Sequence, residues 1–388
     1  MMRTSSTRSC VSGTSTRVRT TSSGGARRRR PGTDQYQHRW FSRGCTHSLL
    51  QFFLRRLGLS IVSLFGAVLA TFVITHLLPG NPILVHAGFK IPSTIKFLEQ
   101  QMGLDQPLPV QFQRYLVGLA HGDFGQSWYS GNPVGLDLQQ RLPASLELAG
   151  FSTVLALSVA IPLGILSAVK RDSIWDHLAR GLGVGGVSVP VFWLGLVLIF
   201  VFYYTLHIAP APLGRVGTFA ELPHKVTGLL TVDSLLALNL PTFADAFGHL
   251  ILPGITLALV VMVPVMRITR ASMLEALGQP YIRTARAAGI PYPKIVLVDA
   301  LRNSLVNLLT VAGLVFGYLI GGAVLVEKVF SWPGMGQYAL NALLENDYAA
   351  VQGFILVVTA LYILINLIVD VLYAAVDPRI RSASVGTS

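Results

Sequence analysis

Pro280-Tyr281-Ile282-Arg283-Thr284-Ala285-Arg286-Ala287-Ala288-Gly289 lies between two uncharged apolar runs, 250–266 and 304–326. Proline suits the first position of a helix, where its missing N–H would be unpaired anyway. Ala285, Ala287 and Ala288 are strong helix formers. Gly289 suits the left-handed residue just past a helix end, and Pro291 and Pro293 prevent continuation. The reading is a helix of about two turns held between two membrane spans. Its small alanines permit close packing, and Arg283 and Arg286 offer charge to a partner. A bare lipid anchor has no use for such a segment. By spacing alone, a plain loop helix and a helix that couples to another protein remain equally open.

Composition places the segment in a membrane protein. The chain has 388 residues, 52% hydrophobic and 12% charged. Soluble domains carry about 25% charged residues. Long uncharged runs at half that value define the membrane class. The net charge of +12 is concentrated in residues 1–50, where ten arginines face one acid, Asp34. The basic pI therefore describes a tail, not a nucleic-acid-binding surface. That tail, rich in Ser, Thr, Gly and Arg, reads as disordered. It is not a secretory signal, because the apolar run after it is a full span with no small-residue cleavage site. Its Arg27–Arg30 run either binds anionic lipid or serves topology alone. Cys10 and Cys45 fit no metal spacing and no disulfide framework.

A bilayer core of ~30 Å needs about 20 apolar residues. Six stretches answer to this: 57–78, 148–169, 181–206, 250–266, 304–326 and 351–369, none containing Lys, Arg, Asp or Glu. A seventh, 229–240, is too short, contains Asp233, and reads as an interfacial or loop element. Loops on the cytoplasmic side carry an excess of Lys and Arg. The tail, the 170–180 connection, the connection after the fourth span (Arg267, Arg270, Arg283, Arg286, Lys294, Arg302) and the C-terminus are the basic segments. Both termini are therefore expected in the cytoplasm, with 79–143 and 207–246 facing outward. The 79–143 segment reads as an external cap, with one helix from Ser93 to Gly103 and another from Pro109 to Ala120.

Gly313, Gly317 and Gly321 recur every fourth residue in the fifth span, a ridge that lets another helix approach closely, either as a static contact or as a moving one. Glu147 and Glu327 sit at span ends, where an acid is expected to cost little. Asp370 shares a face with Asn366. An acid at that depth is either a functional group facing the bundle interior or one half of a pair with Arg or a backbone group.

Several chemistries are missing from the sequence. No lysine follows a glycine, so a P-loop is excluded. Gly181-Leu182-Gly183-Val184-Gly185-Gly186 spells a dinucleotide pattern without the strand it requires, and reads as helix packing. No His precedes Glu, so the zinc-protease motif is absent. A proton-driven secondary transporter would call for midplane carboxylates, and the spans contain none. Nor does any nucleophile–base or metal spacing suggest a membrane-embedded enzyme.

Residues 278–289 resemble the EAA loop of ABC importer permeases in the variant seen in the peptide-type branch, which imports oligopeptides, dipeptides, nickel chelates and related solutes. Only Ala285 and Gly289 match the family-wide form. Further motifs agree in order: Leu78–Pro82, Met102–Leu108, Gly122–Ser127, Arg141–Leu148, Phe330–Gly336 and Asp377–Arg381. Where the family usually has Asp, this chain has Asn81. The resemblance covers about residues 52–381 and is to the first of the branch's two paired permeases. It implies an all-α polytopic membrane protein of the type I ABC importer permease fold, with six transmembrane helices and both termini cytoplasmic, in a bacterial cytoplasmic membrane. With the disordered basic tail read over 1–50, the resemblance implies a transmembrane domain over 51–388 with a cytoplasmic coupling loop at 273–302. It implies ATPase coupling through Tyr281, Arg283, Thr284, Ala285, Arg286 and Gly289. The partners would be a second homologous permease, two cytoplasmic ATPases that bind the ATP, and an external solute-binding protein that delivers peptide. The chain itself would be no enzyme and hold no cofactor or metal. The same architecture importing nickel chelates or glutathione remains an alternative.

Overall fold

The computed structural model describes residues 44–77, 105–174, 176–177, 181 and 189–376. The chain divides into Met1–His47 and Ser48–Ser388, and the second unit holds the helical bundle. The helices are α1 (Gly44–Leu77), α2 (Leu108–Ala120), α3 (Val134–Val169), α4 (Val191–Leu198), α5 (Leu230–Leu236), α6 (Leu240–Gly278), α7 (Pro280–Ala287), α8 (Leu301–Gly322), α9 (Val324–Val329), α10 (Met335–Leu344) and α11 (Tyr348–Val376). Among the described residues there is no β-strand beyond a lone bridge between Gln126 and Pro133.

Among the described residues, five segments are long and apolar enough to cross a membrane: Leu54–Thr75, Val134–Val169, Leu240–Gly278, Tyr292–Gly322 and Tyr348–Leu372. They carry five of the six expected spans. The remaining one, 181–206, is described almost entirely from residue 189 onward. There α4 passes into a wide π-helical turn, Ile199–Thr205, to make a short apolar helix over Val191–Thr205.

The helices overrun the apolar runs. The 148–169 run belongs to a helix of 36 residues, and the 250–266 run to one of 39. An apolar run marks only the stretch at lipid depth. Beyond it the helix persists where packing supports it, as at Val134, Leu138 and Ala144, all buried. Pro143, Pro162, Pro253 and Pro264 lie inside these helices. Spanning helices tolerate proline because neighbouring groups satisfy the freed carbonyls. In the same way, the loop expected over 273–302 takes its first turns from the end of α6 and its last from the helical lead-in to α8.

Lipid gives helices little hydrophobic reason to associate, so close backbone contact must hold them together. Two contacts do so. On α3, Ser152, Ala156, Ala160, Gly164 and Ala168 recur every fourth residue and are all buried. This stripe lies against α6. A Cβ on Gly164 would sit 2.6 Å from the Cβ of Thr269 and 2.9 Å from the Met266 carbonyl oxygen. Gly254 of α6 in turn receives the Phe151 ring. The second contact is the glycine ridge of α8, seated on α11. Val369 occupies the space a Cβ on Gly313 would need, Tyr362 does so at Gly317, and a Cβ on Gly321 would stand 3.3 Å from Val358.

Helix α2 forms where the outer cap was expected to place it, and Gly122 follows in the left-handed region at φ 78°. Its Phe112 and Tyr115 pack on Phe72 of α1, with centroids 5.1 and 5.9 Å apart. The expected Ser93–Gly103 helix and the Leu78–Pro82 and Asp377–Arg381 motifs lie outside the described residues.

Gly317→Ala should lower thermal stability in detergent by about 1–3 kcal/mol, the usual cost of overpacking. Gly321→Ala, with 3.3 Å available, should cost clearly less. Equal melting temperatures for the two variants would contradict the α8–α11 contact.

Candidate functional site

The exposed segment at one end of the bundle is α7. Gln279 is extended (φ −70°, ψ 150°) and Pro280 opens the helix, as its fixed φ allows. The helix ends in a Schellman motif. The Gly289 N–H donates to the Arg286 carbonyl (3.0 Å), and the Ile290 N–H donates to the Ala285 carbonyl (3.1 Å). Gly289 has φ 76°, a conformation that a residue with a Cβ adopts only under strain.

Ile282 is the fully buried side chain by which α7 is fastened to the bundle. Ile282 is 1% exposed and sits among Ala168 of α3, Met273 and Ala276 of α6, and Ile295, Val296 and Ala300 at the approach to α8. Ala285, one turn on, and Ile290 pack partly against the same cluster. Filling such a site with an isoleucine contributes about 1.5–3 kcal/mol. Of the residues named from the sequence, Tyr281, Arg283, Thr284, Arg286 and Gly289 are exposed, whereas Ala285 is half-buried on the Ile282 side. A Cβ added at Gly289 would meet nothing within 4 Å. The Arg286 guanidinium stands 5.2 Å from the Tyr292 ring centroid, a cation–π contact that ties the end of α7 to the next turn. Partial burial, with the Asp299 charge nearby, pushes the Tyr281 hydroxyl above the usual tyrosine range. Ile282 was not among the site residues expected from sequence. Its signal was only an apolar residue within a polar helix.

A charged clamp lies beside this anchor. Asp176, fully buried, accepts from Arg270 of α6 through Nε (2.7 Å) and Nη2 (2.9 Å). It also accepts from the Ser167 hydroxyl of α3 (2.5 Å) and the Asp172 N–H (3.1 Å). A two-pronged Arg–carboxylate pair is among the stronger hydrogen-bonded arrangements. The Arg270 hydrogen bonds, opposed by burial, hold the Asp176 carboxyl well below the usual carboxylate range. Nearby, Asn307 of α8 donates to Ser272 of α6 (3.0 Å). The ends of α3, α6 and α8 are thus cross-tied where Ile282 enters. Asp370, the acid singled out near the end of the last span, pairs with Arg56 of α1 at 3.0 Å. The pair borders a cavity of about 480 Å³ lined by α1, α8 and α11.

Two acids at the opposite end correct an expectation. Glu147 and Glu327 were expected to cost little at the span ends, but both are buried and need partners. Glu147 pairs with Arg215 and accepts from Thr231 through its N–H (2.7 Å) and hydroxyl (2.6 Å). Glu327 accepts from the Ser145 hydroxyl (2.7 Å) and the Gln337 N–H (2.8 Å). Burial pushes the Glu327 carboxyl up, and these donors oppose the shift. Around Glu327, two sequence motifs are brought together by the fold. Arg141–Leu148 supplies Ser145, Glu147 and the Ala144 carbonyl. Phe330–Gly336 supplies Trp332, which donates to Ala144 (2.9 Å), and Met335, whose N–H donates to Ser145 (2.8 Å). Gly334 and Gly336 let the chain wrap the Glu327 carboxylate with no side chain in the way.

Asp176→Asn should lower the melting temperature by a few degrees, since the Arg270 guanidinium would lose its charged partner. The depressed carboxyl sets the sign with pH. Its contribution is present above the unfolded aspartate value of about 3.9 and is lost as pH falls toward the folded value. The difference between wild type and variant should therefore be constant around neutrality and shrink in acid. A difference that grew on acidification would contradict the clamp.

Two family models match the chain. Residues 160–382 match the binding-protein-dependent transport system inner membrane component, and residues 49–149 match the N-terminal part of the membrane component of such systems. The chain is 43% identical over 337 residues to the dipeptide transport system permease protein DppB of Escherichia coli (strain K12), covering 86% of this chain and 99% of that one. It is 48% identical over 316 residues to the probable D,D-dipeptide transport system permease protein DdpB of the same strain, covering 81% and 93%. It is 38% identical over 334 residues to the glutathione transport system permease protein GsiC of Escherichia coli O1:K1 / APEC, covering 86% and 99%. Matched over more than half its length by one model and along most of its length by these relatives, the chain belongs to the family of inner membrane permease components of binding-protein-dependent transport systems.

Proposed function

We propose that this permease forms half of the translocation pathway of an ATP-driven importer of di- and oligopeptides, with α7 as the helix on which an ATPase subunit pulls. The observation that carries the reading is the division of α7 into two faces. One face is pegged by Ile282 into a cluster built from three spans, and the other offers Tyr281, Arg283, Thr284, Arg286 and Gly289 to a partner. A helix so attached passes a displacement to the spans instead of absorbing it. Closure of the ATPase pair on ATP then moves α7 as a rigid body, and the spans change between inward-open and outward-open states. Such a transition requires contacts that differ between the two states.

In this reading six spans cross the membrane. Both termini and the 273–302 loop lie in the cytoplasm, as the Lys and Arg distribution favours. A second homologous permease completes the pathway, two ATPases hydrolyse ATP, and an external solute-binding protein delivers the peptide. The names of the relatives support peptide as cargo, and the DppB and DdpB similarity favours dipeptides over a nickel chelate.

Two substitutions separate docking from transmission. Gly289→Asp puts a charged side chain into the open space at the docking face and strains the φ 76° backbone. It should abolish co-purification of the ATPases while leaving membrane insertion intact. Ile282→Ser leaves that face unchanged but loosens the peg. It should keep the ATPases bound while uptake of a labelled dipeptide falls at least tenfold. Normal ATPase recovery and transport in Gly289→Asp would place docking elsewhere. Nucleotide hydrolysis by the purified chain alone in liposomes would refute the division of labour. Uptake of a nickel chelate in preference to dipeptide would overturn the cargo.

A further inference from the structure

Helix α5 is built inside out. Asp233 and Ser234 are buried, whereas Val232, Leu235 and Leu236, spaced to share one face, are exposed. Leu236 is 62% exposed, and Leu238 and Leu240 continue the apolar surface at 82% and 62%. The inward acid is well satisfied. Asp233 accepts from the Thr227 N–H (2.8 Å) and hydroxyl (2.7 Å) and from the Gly228 N–H (2.9 Å). The polar groups thus hold the helix to the protein, and the leucines are left for what lies outside.

The backbone supports the same reading. The Leu238 N–H donates to Leu235 (3.0 Å) and the Asn239 N–H donates to Ser234 (2.9 Å), so α5 ends in the Schellman geometry also found at the end of α7. At α7 the left-handed position is a glycine; here it is Leu238, at φ 54°. A branched side chain there is strained. A leucine kept in that conformation and left almost fully exposed has no value in water.

The depth of α5 identifies what covers it. Thr231 is hydrogen-bonded through both its N–H and its hydroxyl to Glu147, the residue immediately before the apolar run 148–169. The helix therefore starts at the level where the second span enters lipid. Seven residues extend only about 10 Å, against an interfacial zone of roughly 5–8 Å on each side of the hydrocarbon. Exposed aromatics lie at the same end of the bundle: Tyr204 stacks on Phe200 at the end of the third span, and Phe247 stacks on Phe243 of α6. Tyrosine, with an apolar ring and a polar tip, favours the headgroup level.

We propose that α5 and the collar Leu238–Leu240 rest in the headgroup–acyl boundary of the leaflet opposite α7, contacting glycerophospholipid directly. This foot fixes the depth of the 207–246 segment, and with it the height of the pathway mouth relative to the membrane. The proposal requires only that the chain is a membrane permease. It stands or falls independently of the cargo and of the role of α7.

The test is collision accessibility of a nitroxide label in the complete importer, reconstituted in phosphatidylethanolamine–phosphatidylglycerol vesicles. Cys10→Ser and Cys45→Ser provide the background, and Leu236→Cys carries the label. His224→Cys, on an exposed stretch of the same segment, is the reference. At position 236 oxygen should relax the label more than a water-soluble nickel chelate does, and at position 224 the order should reverse. Stronger relaxation by the nickel chelate at 236 would show that α5 faces water and overturn the proposal. Low accessibility to both reagents would show that protein covers the leucines, which overturns it equally. Leu235→Cys, on the same face, repeats the measurement should labelling at 236 prevent assembly.

Discussion

Close helix contact made possible by missing side chains is the constraint on which the rest of this molecule depends. Inside lipid, apolar surface gains little from meeting apolar surface, so helices associate where their backbones can touch. The Gly164–Thr269 approach joins α3 to α6, and the Gly313 and Gly317 seats join α8 to α11. These contacts are steric and short-ranged. A bundle fixed by them responds to a push by shifting elements as units rather than by bending. That is the mechanical property an importer needs between its ATPases and its pathway.

Polar chemistry is then used at the two ends of the bundle, where it locks rather than catalyses. At the α7 end, the Asp176–Arg270–Ser167 clamp and the Asn307–Ser272 bond tie together the helices that receive Ile282. At the opposite end, Glu327 and Glu147 organise the loops, each surrounded by donors from segments distant in sequence. Buried carboxylates are costly without such partners. Here Arg215 and Thr231 serve Glu147, and Ser145 and the Gln337 N–H serve Glu327.

Much of the framework was legible in the sequence, because it follows from local rules. Pro280 and Gly289 bracket α7 at the bounds the structure gives it, since first-position proline and left-handed glycine act on their own backbone. Apolar runs located the spans but not their ends, because α3 and α6 continue past the lipid on packing that hydropathy does not register. The Gly313 ridge was visible; the equally regular Ser152–Ala168 stripe stands out only once α6 is seen against it. What could not be read was the meeting of distant segments. Ile282 becomes an anchor only when Ala168, Met273 and Ile295 converge on it. Glu147 and Glu327 passed for span-end acids because Arg215, Thr231 and Ser145 are brought to them by the fold.

The central claim is that α7 and the ends of α3, α6 and α8 form one rigid piece. Distances between spin labels at Ala287→Cys and Lys170→Cys, in a chain lacking Cys10 and Cys45, test it most directly. The assembled importer would be measured without nucleotide and with a non-hydrolysable ATP analogue, alongside the distance from position 287 to a label on the second permease. The account predicts an unchanged distribution within the chain and a shifted one between permeases. A nucleotide-dependent change between positions 170 and 287 would contradict it, because α7 would then move against its own bundle rather than with it.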